Sequence, residues 1–318
     1  MHTIEISERH ELTNIGKKNF TNLENQSNLN NAYIKSPLNY IGGKYKILNQ
    51  ILPLFPNKIN NFIDLFAGGA NVGVNVNADT IFINDNLIYL IQLYKKLQVT
   101  EYQAVIEYIE KTIKSLGLSL INQEGFINLR NRYNNYKNPL DLLILISYSF
   151  NHQIRFNSSH EYNNPFGKNR SQFNENIKSN LKKFMDKIQI SNMHFTNYNF
   201  NDFNFSELKK GDFIYCDPPY LITTGTYNDG KRGFTGWNKS QEEELLNLLD
   251  NLNNKGINFA LSNVIEHSNN SNDLLKQWIK ENSNLNIYSI FTNYSNSNYQ
   301  KQKNNLQSQE VLITNYNN

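Results

Sequence analysis

Apolar positions recur along this chain with two different periods, and the change from one to the other marks out its elements. From Ser36 onward the pattern is tight. Tyr45 to Leu54 has helical spacing and runs into Pro53 and Pro56, which predicts a helix closed by proline. Asn61 to Phe66 is a short apolar run ending at a glycine pair, and Thr80 to Ile83 is a second. Both predict buried strands, and Leu87 to Leu97 returns to helical spacing. Residues 99–188 are mainly helical: Tyr102 to Leu116, Glu124 to Tyr136, Leu140 to Phe150, then a polar stretch from Asn151 to Arg170 and an amphipathic helix to Ile188. Strands resume at Met193 to Tyr198, Asp212 to Cys216, Ile257 to Leu261, Ile287 to Phe291 and Val311 to Asn315, with helices at Ser240 to Asn251 and Asp273 to Lys280. Strands alternating with helices predict an α/β fold, a doubly wound, mostly parallel sheet with helices on both faces and room for antiparallel pairing near its end. The expected division is a polar tail over 1–33, a main domain over 34–98 and 189–318, and a helical insertion over 99–188. No repeat or heptad run is present.

Composition narrows the classes. The 318 residues are 39% hydrophobic and 13% aromatic, enough for a sizeable core in one or two domains. No apolar run approaches the roughly 18 residues of a membrane span. The first residues lack the apolar stretch of a secretory signal, so a cytoplasmic protein is expected. The single Cys216 excludes a disulfide framework and a thiolate zinc site, and the histidines lack metal-ligand spacing, so no metal is expected. A net charge of +3 argues only weakly for a nucleic-acid partner. Asparagine is the anomaly, with 58 residues against six alanines. Its scatter through apolar-periodic segments argues against a prion-like tract and for a globular protein from an AT-rich genome.

Three segments carry chemistry. Asp217-Pro218-Pro219-Tyr220 follows the apolar run Phe213 to Cys216. An acid at the carboxyl end of a parallel strand lies where open α/β sheets bind ligands. The prolines fix the backbone and leave carbonyls free to accept, and the tyrosine offers a flat face. Together they suit a clamp for a planar amino group, against the bland reading of a strand ending in a proline turn. The second segment, Phe62 to Gly73, carries Asp64, Phe66, Gly68 and Gly69 as strand, glycine-rich turn and expected helix, a geometry that admits a nucleotide-like cofactor. It is not the dinucleotide spacing. Asp64 suits a charged amino-acid moiety near the turn, and Asp85, ending the next strand, suits ribose hydroxyls. The third, Pro37 to Lys44, ends in Gly-Gly-Lys, but Tyr45 stands where a phosphate loop needs Ser or Thr, which excludes an NTPase.

IGGK at Ile41–Lys44, DLFAGG at Asp64–Gly69 and DPPY at Asp217–Tyr220, in this order, resemble the Dam-like DNA adenine-N6 methyltransferases. The resemblance runs from about Ser36 to Tyr316. It includes Arg155-Phe156-Asn157 and Glu161 to Gly167, similar to a recognition hairpin of that family, and the closing Glu310 to Tyr316. It implies a Rossmann-like methyltransferase fold with a target-recognition insertion, S-adenosylmethionine as methyl donor, and double-stranded DNA as substrate. Tyr40 and Lys44 match positions at the cofactor site, the turn bearing Phe66 and Gly68 would cradle the methionine part, and Asp85 would meet the ribose. Asp217 would touch both cofactor and target base, with Pro218 and Tyr220 as its catalytic partners. Leu65 stands where the family often has Pro, and the first 33 residues are extra.

An exocyclic adenine amine is a poor nucleophile, and acceptance of its hydrogens by Asp217 and the Pro218 carbonyl would raise electron density on N6. No covalent intermediate is required, so Cys216 is expected to be a buried strand residue. The base must be flipped out of the duplex, with Tyr220 stacking on it. From Phe150 to Lys183 six basic residues face two acids, with aromatics between them. Phe150, Asn151, Arg155, Asn157, Pro165, Lys168 and Arg170 are the expected DNA contacts, Arg155 at a base edge. Gly230 to Gly233, Lys301 and Lys303 are further phosphate candidates. A monomer or weak dimer is expected, with a cognate restriction endonuclease as a partner in a restriction–modification system. The rival readings are cytosine-N4 methylation, against which Asp rather than Ser at 217 argues, a DNA-binding protein without catalysis, and an RNA or protein methyltransferase.

Overall fold

The computed structural model describes residues 33–223, 237–268, 270–291 and 308–317. The predicted tail (all but Tyr33) and the candidates at 230–233, 301 and 303 lie outside them. Among the described residues eight strands form one sheet: β1 (Asn61–Asp64), β2 (Thr80–Asn84), β3 (Met193–Thr196), β4 (Phe213–Cys216), β5 (Asn258–His267), β6 (Asn270–Ser271), β7 (Asn286–Ile290) and β8 (Ser308–Thr314). Their order is β3-β2-β1-β4-β5-β8-β7, with β6 on the end of β5. The pairs from β3 to β5 are parallel, and β8 lies antiparallel between β5 and β7. From β1 the chain winds outward to β2 and β3, then crosses back to β4 and β5. The carboxyl ends of β1 and β4 therefore flank the point where the winding reverses, and open α/β sheets bind ligands there.

Alternation along the central strands splits the core into two layers. Phe62, Phe213 and Tyr215 join one apolar cluster, and Ile63, Ile214 and Cys216 join the other. The second layer is covered by α7 (Lys239–Asn254) and α8 (Asp273–Glu281), the first by the remaining helices. Those are α1 (Leu48–Ile51), α2 (Ile88–Val99), α3 (Tyr102–Leu116), α4 (Gln123–Tyr136), α5 (Pro139–Tyr148) and α6 (Glu175–Ile190). Helices α2 to α6 all lie between β2 and β3. Every residue of α5 from Leu140 to Tyr148 is buried, and Asp141 within it is held by the Arg132 guanidinium and the Tyr108 hydroxyl. The helical segment shares a continuous core with the sheet, from Phe62 through Tyr94 to Phe184.

Asparagine has a structural use that composition did not suggest. Asn122, Asn138, Asn174, Asn238 and Asn272 cap the N-termini of α4, α5, α6, α7 and α8, each side chain accepting a backbone N–H of the first turn. Each such cap stabilises by about 1 kcal/mol.

Three expectations are corrected. The helix over Tyr45–Leu54 is a single α turn between 3-10 turns at Lys44–Ile47 and Leu52–Leu54, because Pro53 lacks the N–H that would continue it. No α-helix follows the glycine turn: residues Gly73–Asn75 form one 3-10 turn before the chain extends at Val76. Two valines and a glycine propagate a helix poorly, and Asp64 and Asn75 bind the local backbone instead. Strand β5 continues six residues beyond Leu261, because β8 pairs with it along Ala260–His267. The buried Ser262 and Asn263 hid that continuation from the hydrophobic pattern.

Candidate active site

Strands β1 and β2 place two acids at the floor of the crevice. Asp64 ends β1, is 1% exposed, and its Oδ2 accepts the Gly73 N–H at 3.0 Å. Burial pushes its carboxyl up to about 8, opposed by that hydrogen bond and by Lys44, and reinforced by Asp217 and Asp85. Asp85 follows β2 and holds two backbone N–H groups, Gly68 at 2.9 Å and Leu87 at 2.8 Å. Burial raises its carboxyl as well. Gly68 is held from both sides, since its carbonyl accepts the Tyr94 hydroxyl at 2.7 Å. Its φ is +48°, and a Cβ there would lie 2.7 Å from the Tyr40 ring, so only glycine fits beneath Tyr40. Phe66 packs against Phe200 and Trp237 beside the turn.

Strand β4 places the clamp. Asp217 follows it, and Lys44 Nζ reaches Asp217 Oδ1 at 2.8 Å. The same ammonium donates to the Gly42 carbonyl at 3.0 Å, lies 3.5 Å from Glu310 Oε1, and sits 4.9 Å above the Tyr220 ring. The Tyr220 hydroxyl is 3.0 Å from Asp217 Oδ1 and 2.9 Å from Glu310 Oε1, so its one proton serves either carboxylate. Burial raises the Asp217 carboxyl, with Lys44 pulling it down. Pro218 is buried under this network. Cys216 is fully buried and burial pushes its thiol up, the opposite of an activated nucleophile. The site thus gathers Tyr40, Lys44, Asp64, Gly68, Asp85, Asp217, Pro218 and Tyr220, with Phe66 at its edge.

Two residues of this constellation escaped the sequence reading. Glu310 opens the buried part of β8, and its signal was an acid inside an otherwise apolar strand. Tyr94, fully buried on α2, showed only as an aromatic at helical spacing.

The expected hairpin is present as an antiparallel bridge between Phe156 and Tyr162, with Asn157 N–H donating to the Glu161 carbonyl and Asn163 N–H to the Arg155 carbonyl. Arg155 braces it: Nε donates to Asn163 Oδ1 at 2.9 Å and Nη2 to the Asn163 carbonyl at 3.0 Å. Asn157 organises the tip by accepting from Ser159 and Glu161. Pro165 is exposed, and its carbonyl receives the Phe150 N–H. Phe150 is 40% exposed with the Arg170 guanidinium 5.0 Å above its ring. Beside it lies a surface hollow of about 590 Å³ lined by Asn151, His152, Lys168, Asn169, Arg170 and Ser171. Asn39 Nδ2 donates to the Asn151 carbonyl at 2.9 Å, tying the IGGK segment to this hollow.

Known proteins resemble this chain along most of its length. A model of the D12 class N6 adenine-specific DNA methyltransferases matches residues 40–311. The chain is similar to the type II methyltransferase M.FokI of Planomicrobium okeanokoites, 50% identical over 327 residues that cover 100% of this chain and 50% of that protein. It is 53% identical to the modification methylase StsI of Streptococcus sanguinis over 284 residues, 89% of this chain and 43% of that one. A DNA adenine methylase of Salmonella typhi is 27% identical over 242 residues, 74% and 81% of the two chains. The chain therefore spans about half the length of the curated relatives M.FokI and StsI.

Proposed function

The chain belongs to the D12 class N6 adenine-specific DNA methyltransferases, and from that membership we propose that it transfers a methyl group from S-adenosylmethionine to the N6 amino group of adenine in a specific double-stranded DNA sequence. The observation that carries the reading is the Asp217-Pro218-Pro219-Tyr220 clamp at the end of β4, fastened to Lys44 beside the glycine turn of β1.

The residues present fit the cofactor. Gly68 leaves no side chain between the turn and Tyr40, and Asp85 keeps acceptor capacity for ribose hydroxyls beyond its two backbone bonds. Asp64, buried beneath the turn, is assigned to the ammonium of the methionine part, whose charge would draw its raised carboxyl into the ionised form. When bound, the sulfonium supplies an electrophilic methyl group. The chain's own part is positioning and proton handling. Asp217 and the Pro218 carbonyl accept the two N6 hydrogens and orient the nitrogen lone pair, and Tyr220 stacks on the flipped base. The proton that N6 sheds passes to a carboxylate oxygen of Asp217, whose raised proton affinity suits that role.

The 99–188 segment is assigned to target recognition. Phe150, Asn151, Lys168 and Arg170 gather around one basic hollow with an exposed aromatic, which supports phosphate contacts beside a wedge or stacking side chain. Asn157, Pro165 and Arg155 present the hairpin, with Arg155 assigned to a base edge because an arginine–guanine pair is the commonest specific contact. The reading extends to a cytoplasmic monomer or weak dimer acting with a cognate restriction endonuclease. No described helix is long and apolar enough to cross a membrane.

The test is Asp217→Ala assayed for methyl transfer to duplex DNA, with circular dichroism as the fold control. Loss of transfer by at least about 10²-fold is expected from removal of a positioned acid. Wild-type turnover in a folded variant would sink the clamp.

A further inference from the structure

The turn at residues 150–153 carries the exposed Phe150 ring and places two consecutive non-glycine residues in the left-handed region, Asn151 at φ +54° and His152 at φ +52°. L side chains crowd the backbone there, so such a pair persists only where its surroundings over-determine it. Here the surroundings are donors aimed at the carbonyls of the turn. The Phe150 and Gln153 carbonyls, which bracket the pair, both accept from Asn164 Nδ2, at 3.1 and 2.9 Å. Gln153 also accepts the Tyr162 hydroxyl at 3.0 Å, Asn39 takes the Asn151 carbonyl between them, and the Phe150 N–H donates to the Pro165 carbonyl at 2.8 Å. Asn164 is 2% exposed, and both hydrogens of its amide go to the turn. Its own backbone is restricted in turn, because Pro165 follows it.

We propose that Asn164 is a positioning residue for target recognition: its amide presets the left-handed pair, so that Phe150 and Asn151 meet DNA already in the conformation that reads the target. The inference rests on the recognition role proposed above for the 99–188 segment. Without the amide, the Phe150 carbonyl loses its side-chain donor and Gln153 keeps only Tyr162, and the turn is free to relax toward ordinary backbone angles. A turn that spends part of its time relaxed offers the reading conformation for the remainder only, and apparent affinity for the target falls by that fraction. Phosphate attraction does not share the loss. Lys168 and Arg170 keep their charges, and sequence-independent binding depends on charge rather than on the angles of one turn. Removal of the Asn164 amide therefore costs discrimination more than adhesion.

The test compares the wild-type chain with Asn164→Leu, which keeps a branched side chain of similar size but no donor, and with Asn164→Ala, with circular dichroism and thermal melting as fold controls. Plasmid DNA methylated by the wild type is sequenced to find its target, and binding is then measured to duplexes with and without that sequence across a salt series. Both variants are expected to lose about tenfold in the affinity ratio of the two duplexes, and to raise KM for the target duplex by a similar factor, as when the reading conformation falls to roughly a tenth of the population. The kcat, the affinity for S-adenosylmethionine and the salt dependence of binding to the duplex without the target are expected to stay at wild-type values. Alanine serves if leucine unfolds the hairpin. An unchanged ratio in a folded variant overturns the proposal. So does a loss of cofactor affinity in step with the ratio, since Asn164 would then support the whole domain rather than the turn. A wild-type chain that methylates no preferred sequence overturns the recognition role and the inference together. A preferred sequence that the variants bind with wild-type discrimination overturns the inference alone.

Discussion

A carboxyl group buried beside two other carboxyl groups holds its proton longer than one in water, and Asp64 is such a group. Its carboxyl stands near 8 in the folded chain and at 3.8 when exposed. Between these values the folded chain keeps a proton that the unfolded chain has lost, so stability falls as pH rises from about 4 to about 8 and is flat above. Asp64→Asn, which keeps an acceptor for Gly73, should remove that slope. Melting temperatures of the two proteins should converge as pH falls toward 4, and parallel curves would show that Asp64 is ionised throughout. Asp64, Asp85 and Asp217 were legible in the sequence for one reason: each stands at or just past the end of a short apolar strand, and a strand-end acid in an α/β protein faces the crevice. Glu310 was not, because what it touches, Lys44 and Tyr220, lies 266 and 90 positions away. Arg155 was legible as a hairpin residue, but its brace to Asn163 depends on a side-chain conformation that no sequence pattern encodes.

At the scale of elements, the glycine turn after β1 is the least regular piece and the most tightly held. Gly68 is gripped by Asp85 through its N–H and by Tyr94 through its carbonyl, and the Tyr94 ring packs against Phe184 of α6 and Phe195 of β3. The turn is thus braced through α2 by α6 and β3. Tyr94→Phe leaves the Gly68 carbonyl without that donor, and is expected to cost roughly 1–3 kcal/mol of stability by denaturant unfolding. It should also weaken cofactor binding several-fold. Wild-type stability and binding would mean the turn holds itself. Helices over 102–116 and 273–281 and strands at β1, β2 and β4 were readable almost to the residue, because one period dominates each. The turn after β1 was misread as leading into a helix, because side chains that satisfy its backbone leave no periodic trace. The caps were hidden in plain view: an excess of asparagine looked like genome composition, while five of those residues begin helices.

At the scale of the whole molecule, the order of strands decides where chemistry can occur. Winding outward from β1 in both directions opens the crevice at β1 and β4, and a chain segment of more than a hundred residues between β2 and β3 brings the basic hollow to the protein through Asn39 and Asn151. The alternation of elements made the parallel half of this sheet predictable. The placement of β8 between β5 and β7 was beyond reach, since antiparallel insertion of a last strand is set by long-range pairing rather than by any local pattern. That placement is what delivers Glu310 to the clamp. Acceptance of an adenine amine by this clamp, as proposed, is read out by nucleoside analysis of duplex DNA after incubation with the chain and methyl-labelled S-adenosylmethionine. Label is expected in N6-methyladenine alone; label in N4-methylcytosine would overturn the adenine assignment.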